Sequence, residues 1–413
     1  MVKYKTFDNG LKLIVKKIDG LLSVTTGIMV GAGSIDENDE NNGISHFIEH
    51  MLFKGTTNRT SFEISDSIDK VGAQINAFTT KEMTCYYTKS IAEHFEKTIE
   101  ILSDLLFNSI FLKEEMTREK GVILEEISMS NDTPDDLCMD YLAEAYYGKT
   151  GLGRTILGSG KNVRAFTKKD ILKYMTENYY PGNIVISIAG NVDFETAEKF
   201  TEKYFFNNFK IKNGNKKDNE FSQSFTNHLS KKKKIEQQHI GLAFPSIKND
   251  DPATNALGIA NIVLGGGMSS RLFQKIREEL GLAYTVYSYL SAYKNSGIMT
   301  VYAGINPKNK QLAVDSIIEL LKTFKKEKIT EEEFLRGKEQ IKSAFIMGQE
   351  STASQMLLYG KNLLISDKIF DFEEKINEIS KVSLENCFDA IDSNYDIDKM
   401  ASACVGKNAV KLF

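Results

Sequence analysis

Two of the five histidines of this chain lie four residues apart in the stretch "GISHFIEHMLFKGT", with a glutamate directly before the second histidine. On a helix, His46, Glu49 and His50 project from one face within about one turn. Two imidazole nitrogens at this spacing can bind one metal ion, and the carboxylate beside them can take a proton from a metal-activated water. The spacing therefore predicts a metal site that carries its own general base.

The order His-x-x-Glu-His is the inverted form of a common zinc-peptidase motif. The alternative is a surface helix on which two histidines fall four residues apart by chance. In a chain with five histidines and 56 acidic residues, this order arises by chance at roughly 0.01 per chain. We therefore interpret the segment as a catalytic zinc site, which needs a third protein ligand and one open position.

The third ligand is expected in the stretch "MTREKGVILEEISMS". On a helix, Glu119 and Glu126 lie two turns apart and share a face, whereas Glu125 is rotated by about 100°. Val122 and Ile123 lie between them, which favours an inward orientation of this face, and a buried carboxylate needs a partner such as a metal ion. The residues alone leave the alternative open, because two glutamates at this spacing often form a solvated stripe.

The elements that must position these residues repeat along the chain. Each half reads as a strand, a polar loop, two helices, two strands and two further helices, and the helix predicted at Ile44–Phe53 corresponds to one at Ala253–Leu264 that has no titratable group. This pattern predicts an α+β fold of two homologous domains, each a mostly antiparallel sheet with helices packed on one face. The predicted domains span 1–209 and 235–413, and the polar, lysine-rich stretch 210–234 between them is predicted to be a linker.

Composition limits the class of protein. The 413 residues are 41% hydrophobic and 26% charged, with a net charge of −4. These values are typical of a soluble globular protein and give no reason to expect a nucleic-acid partner. No apolar run in the sequence approaches the roughly 18 residues that a membrane span needs. The first residues, "MVKYKTFDNGLKLIVKK", contain no basic and then apolar leader, which favours a cytoplasmic location. The four cysteines form no Cys-x-x-Cys pair, so we expect them to be reduced and mostly buried.

Several motifs together resemble one family. The stretches "HFIEH", "MLFKGT", "VGAQINAFTTKEMTCYY" and "EKGVILEEI" are similar to the pitrilysin and insulinase family of zinc peptidases, in the shorter branch that includes the mitochondrial processing peptidases. The similarity continues through "LGRTILGS", "YYPGNIVISIAGNVD" and "LGGGMSSRLFQKIREELGLAYTVYS". The resemblance implies a zinc endopeptidase with one zinc ion per chain. It assigns His46, His50 and Glu126 as zinc ligands, Glu49 as the general base and Glu119 as a supporting carboxylate.

A peptidase must also bind an extended peptide. The stretch "GAQINAFTTKEMTCYYT" predicts a strand that could add a substrate to the edge of a sheet through main-chain hydrogen bonds. The residues alone also fit an ordinary edge strand. In the resembled family this segment contacts the substrate, which implies a substrate-binding role for Asn76, Ala77, Phe78 and Thr79.

The second half carries a further pair of candidate residues. Arg277, in a predicted helix at Ser270–Leu280, and Tyr284 match an arginine–tyrosine pair that contacts the substrate from the non-zinc half of the resembled family. Long family members contain four such domains that enclose a chamber, and this chain is predicted to contain two. The resemblance therefore implies a homodimer in which one subunit completes the active site of the other.

Two other functions fit the same resemblance. The chain could be a maturation peptidase dedicated to one precursor, or a non-catalytic relative that acts as a partner subunit. Non-catalytic relatives typically lose part of the zinc motif, whereas all five polar positions are present here. The sequence thus favours an active zinc endopeptidase.

Overall fold

The structure is a computed structural model that describes residues 2–209 and 224–412. The described residues form two compact units. The first unit comprises the described residues of Met1–Ile127, Thr155–Asn219 and Gly348–Phe370, and the second comprises those of Ser128–Arg154, Glu220–Met347 and Asp371–Phe413. Each unit is therefore assembled from segments that are separated in the sequence.

Each unit contains one sheet. The strands of the described residues are β1 (Val2–Thr6), β2 (Lys12–Lys17), β3 (Ser23–Val30), β4 (Gln74–Thr79), β5 (Thr84–Ile91), β6 (Ile184–Gly190), β7 (His228–Lys232), β8 (Gln238–Pro245), β9 (Ala283–Ala292), β10 (Gly297–Ile305) and β11 (Ala401–Gly406). The first sheet has the order β1-β2-β6-β3-β5-β4 and the second the order β7-β11-β8-β10-β9. In the first sheet only β2 and β6 pair in parallel, and in the second only β7 and β11 do. The predicted α+β fold with mostly antiparallel sheets is confirmed.

The helices follow the predicted repeat. Those of the described residues are α1 (Ile44–Leu52), α2 (Ser61–Asp69), α3 (Phe95–Asn108), α4 (Lys113–Asp132), α5 (Pro134–Tyr147), α6 (Gly160–Ala165), α7 (Lys168–Asn178), α8 (Phe194–Tyr204), α9 (Thr254–Gly265), α10 (Lys310–Glu327), α11 (Glu331–Met347), α12 (Thr352–Ile365), α13 (Phe372–Lys381) and α14 (Leu384–Asn394). In addition, Phe273–Glu279 is π-helical. None of the described helices is long and apolar enough to cross a lipid bilayer.

The observed units differ from the predicted domain boundaries in two segments. Helix α12 comes from the second half of the sequence but belongs to the first unit, and α5 comes from the first half but belongs to the second. Both helices cover a sheet face: α12 packs on β3 and β6, and α5 packs on β8 and β11. The predicted linker also contains β7 among its described residues, 224–234, and its remaining residues lie outside the described ranges.

The first sheet is covered on both faces, so the prediction of helices on one face was incomplete. The larger core lies between one face and α1, α3 and α7, among others. On the opposite face, Met356 and Tyr359 of α12 pack against Met29 and Val185 of the sheet. The Ser187 hydroxyl donates a 2.7 Å hydrogen bond to the carbonyl of Met356. Strands buried on both faces read as nearly continuous apolar runs, and β6 has this pattern except at Ser187.

The internal duplication is visible in one repeated contact. Lys120 on α4 donates hydrogen bonds to two carbonyls just before α7, those of Arg164 and Phe166. Lys338 on α11 makes the equivalent pair of bonds just before α14, to the carbonyls of Ser380 and Val382. This pairing aligns α4 with α11 and therefore identifies which residues of the second unit correspond to the candidate site of the first.

The cysteines agree with the prediction. Cys85, Cys138, Cys387 and Cys404 are all buried and free of disulfide bonds. Burial raises the pKa of each thiol. These side chains therefore act as small apolar groups of the core.

The close approach of α12 to the first sheet gives a stability prediction. A methyl group added at Gly360 would lie 2.7 Å from the Cβ of Ser187 and would also overlap the thioether of Met29. Overpacking of this kind costs about 1–3 kcal/mol. We expect Gly360→Ala to lower the free energy of unfolding by that amount in urea denaturation of the full chain.

The control for this prediction is Gly121→Ala, on the exposed side of α4, where an added methyl group meets no atom within 4 Å. Its expected effect is a gain of roughly 0.5–1 kcal/mol from helix propensity. Equal stability of the two variants would contradict the observed packing of α12.

Candidate functional site

Helix α1 presents the histidine motif because its other face is apolar. The buried apolar residues occur at the i, i+3, i+4, i+7, i+8 spacing of an amphipathic helix, and they are Ile44, Phe47, Ile48, Met51 and Leu52. This face packs towards β4 and β5. The remaining face carries His46, Glu49 and His50, as the spacing predicted.

The structure brings His46, His50 and Glu126 together, and their ligand atoms all lie within 4.8 Å of one another. Glu126 Oε2 is 3.7 Å from His46 Nε2 and 3.6 Å from His50 Nε2. Glu126 lies on α4, so two helices contribute to the group. Among the described residues, this is the group of histidine, cysteine and acidic side chains with metal-binding geometry.

These residues fit a zinc ion. Zinc held tetrahedrally at 2.0–2.1 Å from each ligand places the ligand atoms about 3.3–3.4 Å apart. The separations of Glu126 Oε2 from the two histidine Nε2 atoms are slightly longer than this. Small side-chain rotations would bring these atoms to the separation that zinc requires. Two imidazoles and one carboxylate are also a ligand set that catalytic zinc uses, with the fourth position left for water or substrate.

Glu119 is buried and holds His50 in position. Its Oε2 lies 3.1 Å from His50 Nδ1, and its Oε1 accepts an ion pair from Lys54 Nζ at 2.8 Å. Because the carboxylate can only accept, Nδ1 carries a proton, and in the neutral ring Nε2 is then the free acceptor atom on the side of Glu126. Glu119 therefore orients the His50 ring and favours one tautomer of it.

Lys54 is a site residue that the sequence interpretation did not assign. It lies in the quoted stretch "MLFKGT", one turn after His50, so an i, i+4 relation to His50 was the available signal. Its ammonium group balances the charge of the buried Glu119 carboxylate.

Val122 was expected to face inward but is 44% exposed. Of the pair Val122 and Ile123, only Ile123 packs in the core.

The electrostatics of the two histidines differ. Burial, and then the neighbouring His50, lower the pKa of His46 to about 4, so this ring is neutral at pH 7. Burial also lowers the pKa of His50, but the hydrogen bond with Glu119 and the charges of Glu126 and Glu49 outweigh it, and the net pKa is raised. The surrounding carboxylates thus favour a positive charge at this position, which a bound cation supplies.

Glu49 lies beside the ligands without being part of the metal-binding group. Thr79 at the end of β4 donates a hydrogen bond of 2.5 Å from its hydroxyl to Glu49 Oε2. Burial raises the pKa of Glu49, and the Thr79 hydrogen bond opposes this shift. The hydrogen bond from Thr79 therefore fixes the orientation of the Glu49 carboxylate.

Strand β4 forms one edge of the first sheet, next to α1. Asn76 is exposed, whereas Ala77, Phe78 and Thr79 are half-buried. The Ala77 amide donates to Asn76 Oδ1 at 2.8 Å, so this amide faces the side chain of its own neighbour. The strand predicted for peptide binding therefore has a free edge, and its end contacts Glu49.

Arg277 and Tyr284 lie in the second unit. Arg277 is on the π-helical segment that replaces the predicted helix, and Tyr284 is on β9, an edge strand. The guanidinium carbon of Arg277 is 5.1 Å from the centre of the Tyr284 ring, and Tyr284 is 73% exposed. The two residues thus form a cation–π pair on the surface of this unit.

The second unit contains the same scaffold without the ligands. Helix α9 corresponds to α1, and none of its residues is titratable, so it cannot supply the equivalents of His46, Glu49 and His50. On α11, Gly337 and Ala344 take the positions of Glu119 and Glu126. Gly337 packs close to α9, where an added Cβ would lie 3.2 Å from Ile259. In the second unit, apolar contact between α9 and α11 therefore takes the place of the polar cluster of the first unit.

Two sequence families match the chain. The family described as Insulinase (Peptidase family M16) matches residues 15–160, and the one described as Peptidase M16 inactive domain matches residues 165–341. The chain is 41% identical to YmxG of Bacillus subtilis, named an uncharacterized zinc protease, over 93% of each chain. It is 36% identical to a Rickettsia felis protein with the same description, over 98% of this chain and 97% of that relative.

Solved structures share the fold. The chain superposes on a structure described as a peptidase M16 inactive domain from Pseudomonas fluorescens with a TM-score of 0.92 and 19% identity, over 99% of each chain. It superposes on a protease from Helicobacter pylori with a TM-score of 0.89 and 20% identity, over 98% of this chain and 99% of that one. This similarity confirms the predicted architecture of two homologous domains.

The geometry of the site predicts zinc binding that depends on Glu126. After zinc is supplied and excess metal removed, we expect metal analysis to find one zinc ion per wild-type chain. Glu126→Gln removes the charged ligand and should weaken zinc binding by at least about 100-fold, because even residues behind a ligand contribute 10–100-fold.

The matched control is Glu125→Gln, the adjacent carboxylate on the same helix, which is exposed. This variant should bind zinc as the wild type does. Zinc binding that is retained in Glu126→Gln, or lost equally in both variants, would refute the assignment of Glu126 as a ligand.

Proposed function

Because this chain belongs to the insulinase family of peptidases, family M16, we propose that it is a zinc-dependent endopeptidase that hydrolyses peptides or unfolded segments. The observation that carries the proposal is the approach of His46, His50 and Glu126 to within ligand distance beside the buried carboxylate of Glu49. The relatives named as zinc proteases support the same class of reaction.

Each polar residue of the site has a defined role in this reaction. Zinc held by the two histidines and Glu126 would lower the pKa of a water to about 7 and polarise the carbonyl of the peptide bond. Glu49 removes the proton from the attacking water and then delivers it to the leaving amine. Thr79 occupies Oε2, so Oε1 carries that proton. Glu119 keeps His50 oriented throughout.

Strand β4 is proposed to hold the substrate. An extended peptide added beside β4 would lie along an edge that ends at Thr79, in contact with Glu49. The Ala77 amide becomes available to a peptide carbonyl when the Asn76 side chain turns away from it. Main-chain recognition of this kind tolerates many sequences, which suits a peptidase that acts on unfolded segments.

The active form is proposed to be a homodimer with a chamber, in which Arg277 and Tyr284 of one subunit act at the zinc site of the other. The exposed Tyr284 hydroxyl would donate to the oxyanion that develops during attack, and Arg277 would contact the substrate near the scissile bond. The family resemblance and the exposure of this pair support the proposal.

The cytoplasmic location inferred from the sequence also remains a prediction.

The proposed reaction makes Glu49 indispensable for catalysis but not for zinc binding. Glu49→Gln should retain one zinc ion per chain, while kcat for an internally quenched peptide should fall by at least about 10²–10⁴-fold, the contribution typical of a general base. Thr79→Val, which leaves Glu49 in place but removes the donor, should lower kcat to a smaller extent.

Glu125→Gln serves again as the control and should keep full activity. A Glu49→Gln protein that binds zinc and still cleaves at the wild-type rate would rule out the mechanism. A wild-type protein that binds zinc but cleaves no peptide would instead favour the non-catalytic partner subunit.

The composite site can be tested by complementation. Arg277→Ala and Glu49→Gln chains should each be inactive as homodimers. A heterodimer of the two, isolated with two different affinity tags, should recover activity because it contains one site with an intact Glu49 and the partner subunit's intact Arg277. No recovery in the isolated heterodimer would contradict a site shared between subunits.

A further inference from the structure

The metal-binding helix begins without a side-chain cap of its own. The residue before the first turn of α1 is Gly43, with φ of +99°, and glycine has no side chain to accept a hydrogen bond. The first amides of a helix have no partner inside the helix and need acceptors from elsewhere. Here the Ile44 amide donates to the carbonyl of Asn41 at 3.0 Å, which leaves the amides of Gly43 and Ser45 to be satisfied.

Both amides are satisfied by one buried carboxylate, that of Glu37. The Gly43 amide donates to Glu37 Oε2 at 2.8 Å, and the Ser45 amide donates to Oε1 at 2.9 Å. The Asn42 side chain adds a third bond of 2.9 Å to Oε2. Glu37 is 5% exposed, so these donors replace water around it. A carboxylate at this end of α1 also interacts favourably with the helix dipole.

A second loop closes over this helix end. Asn42 donates to the carbonyl of Thr155 at 2.9 Å, and Asn162 donates to the carbonyls of Asp39 and Asn42 at 3.0 and 3.2 Å. The two loops touch through glycines: a Cβ on Gly43 would lie 2.9 Å from the Cα of Gly158. The loop is the "LGRTILGS" motif of the sequence, which has no role in the reaction described above.

The duplicated second unit provides an internal comparison. Between Ser246 and Ala253, before α9, the acidic residues are Asp250 and Asp251, and neither is buried. The Asp251 carboxylate accepts the Ala253 amide at 2.9 Å, and the Asp251 carbonyl accepts the Thr254 amide at 3.0 Å. The unit that lacks the metal ligands thus also lacks the buried carboxylate, although its helix forms. The carboxylate is therefore not a requirement for helix formation in this scaffold.

We propose that Glu37 is a positioning residue for zinc, because its carboxylate fixes the backbone at Ser45, directly before the ligand His46. His46 lies in the first turn of α1, whereas His50 lies one turn further and is held separately by Glu119. Loss of the Glu37 bonds frees the first turn and displaces His46 while His50 keeps its place. The inference rests on the proposed zinc-dependent function and assigns a role to the segment 155–162, which comprises a loop and the start of α6.

The test measures zinc affinity by competition with a chromogenic chelator. Glu37→Gln has nearly the same shape but turns one acceptor into a donor that faces amide donors. We expect its zinc Kd to rise by about 10-fold or more, in the range seen for residues that orient metal ligands. The stabilisation of the chain by zinc, measured as the rise in Tm on adding the metal, should shrink in parallel.

Two controls separate this role from a general loss of stability. Asp193→Asn removes a carboxylate cap from α8 in the same unit, where Asp193 accepts the Thr196 amide at 2.7 Å. Gly360→Ala destabilises the opposite face of the sheet. Both should keep the wild-type zinc Kd, whatever their Tm without metal. If Glu37→Gln does not fold, Asn162→Ala should show a smaller rise in zinc Kd.

The outcomes are distinct. A folded Glu37→Gln, or failing that Asn162→Ala, with the wild-type zinc Kd would overturn the positioning role of this helix end. An equal loss of zinc affinity in Glu37→Gln and in either control would also overturn it, since stability alone would explain the loss. A wild-type chain that binds no zinc would overturn the proposed function itself.

Discussion

In the proposed zinc site, three ligand atoms from two helices must meet within a few ångströms, and this constraint accounts for much of the first unit. A zinc ion tolerates only small errors in ligand separation, so α1 and α4 must hold His46, His50 and Glu126 to within a fraction of an ångström. Packing on one sheet places α1, because five of its nine residues are buried against the core. Polar contacts then set the details: the buried Glu119 orients His50, and Lys54 balances its charge.

The same constraint explains how one fold supports two different units. Both contain a sheet, a helix that corresponds to α1 and a lysine that ties the next long helix to the carbonyls of a loop. In the second unit, glycine replaces Glu119 and the helices approach each other through apolar contacts. The scaffold is therefore stable without the polar cluster, and the chemistry is an addition to the fold rather than a consequence of it.

Sequence patterns predicted the local elements well. The helix predicted at Ile44–Phe53 ends one residue earlier, and the helix predicted at Ala253–Leu264 begins and ends one residue later. The prediction of helices on one sheet face was incomplete, although the mostly apolar sequence of β6, interrupted by Ser187, was a signal for a strand buried on both sides. Val122 was placed on the wrong side because a helical pattern gives relative positions on a face but not which neighbour that face meets.

The sequence by itself determined the motif, its helical spacing and the duplicated order of elements, since these depend on interactions between residues close together in the chain. Only the tertiary structure decided which sheet α5 and α12 cover, that Lys54 pairs with the buried Glu119, and that Glu37 satisfies the start of α1. These contacts join residues far apart in sequence, or depend on the direction in which a loop turns. The free energy of these contacts comes from the burial of one particular surface against another. No local sequence pattern specifies which two surfaces will meet.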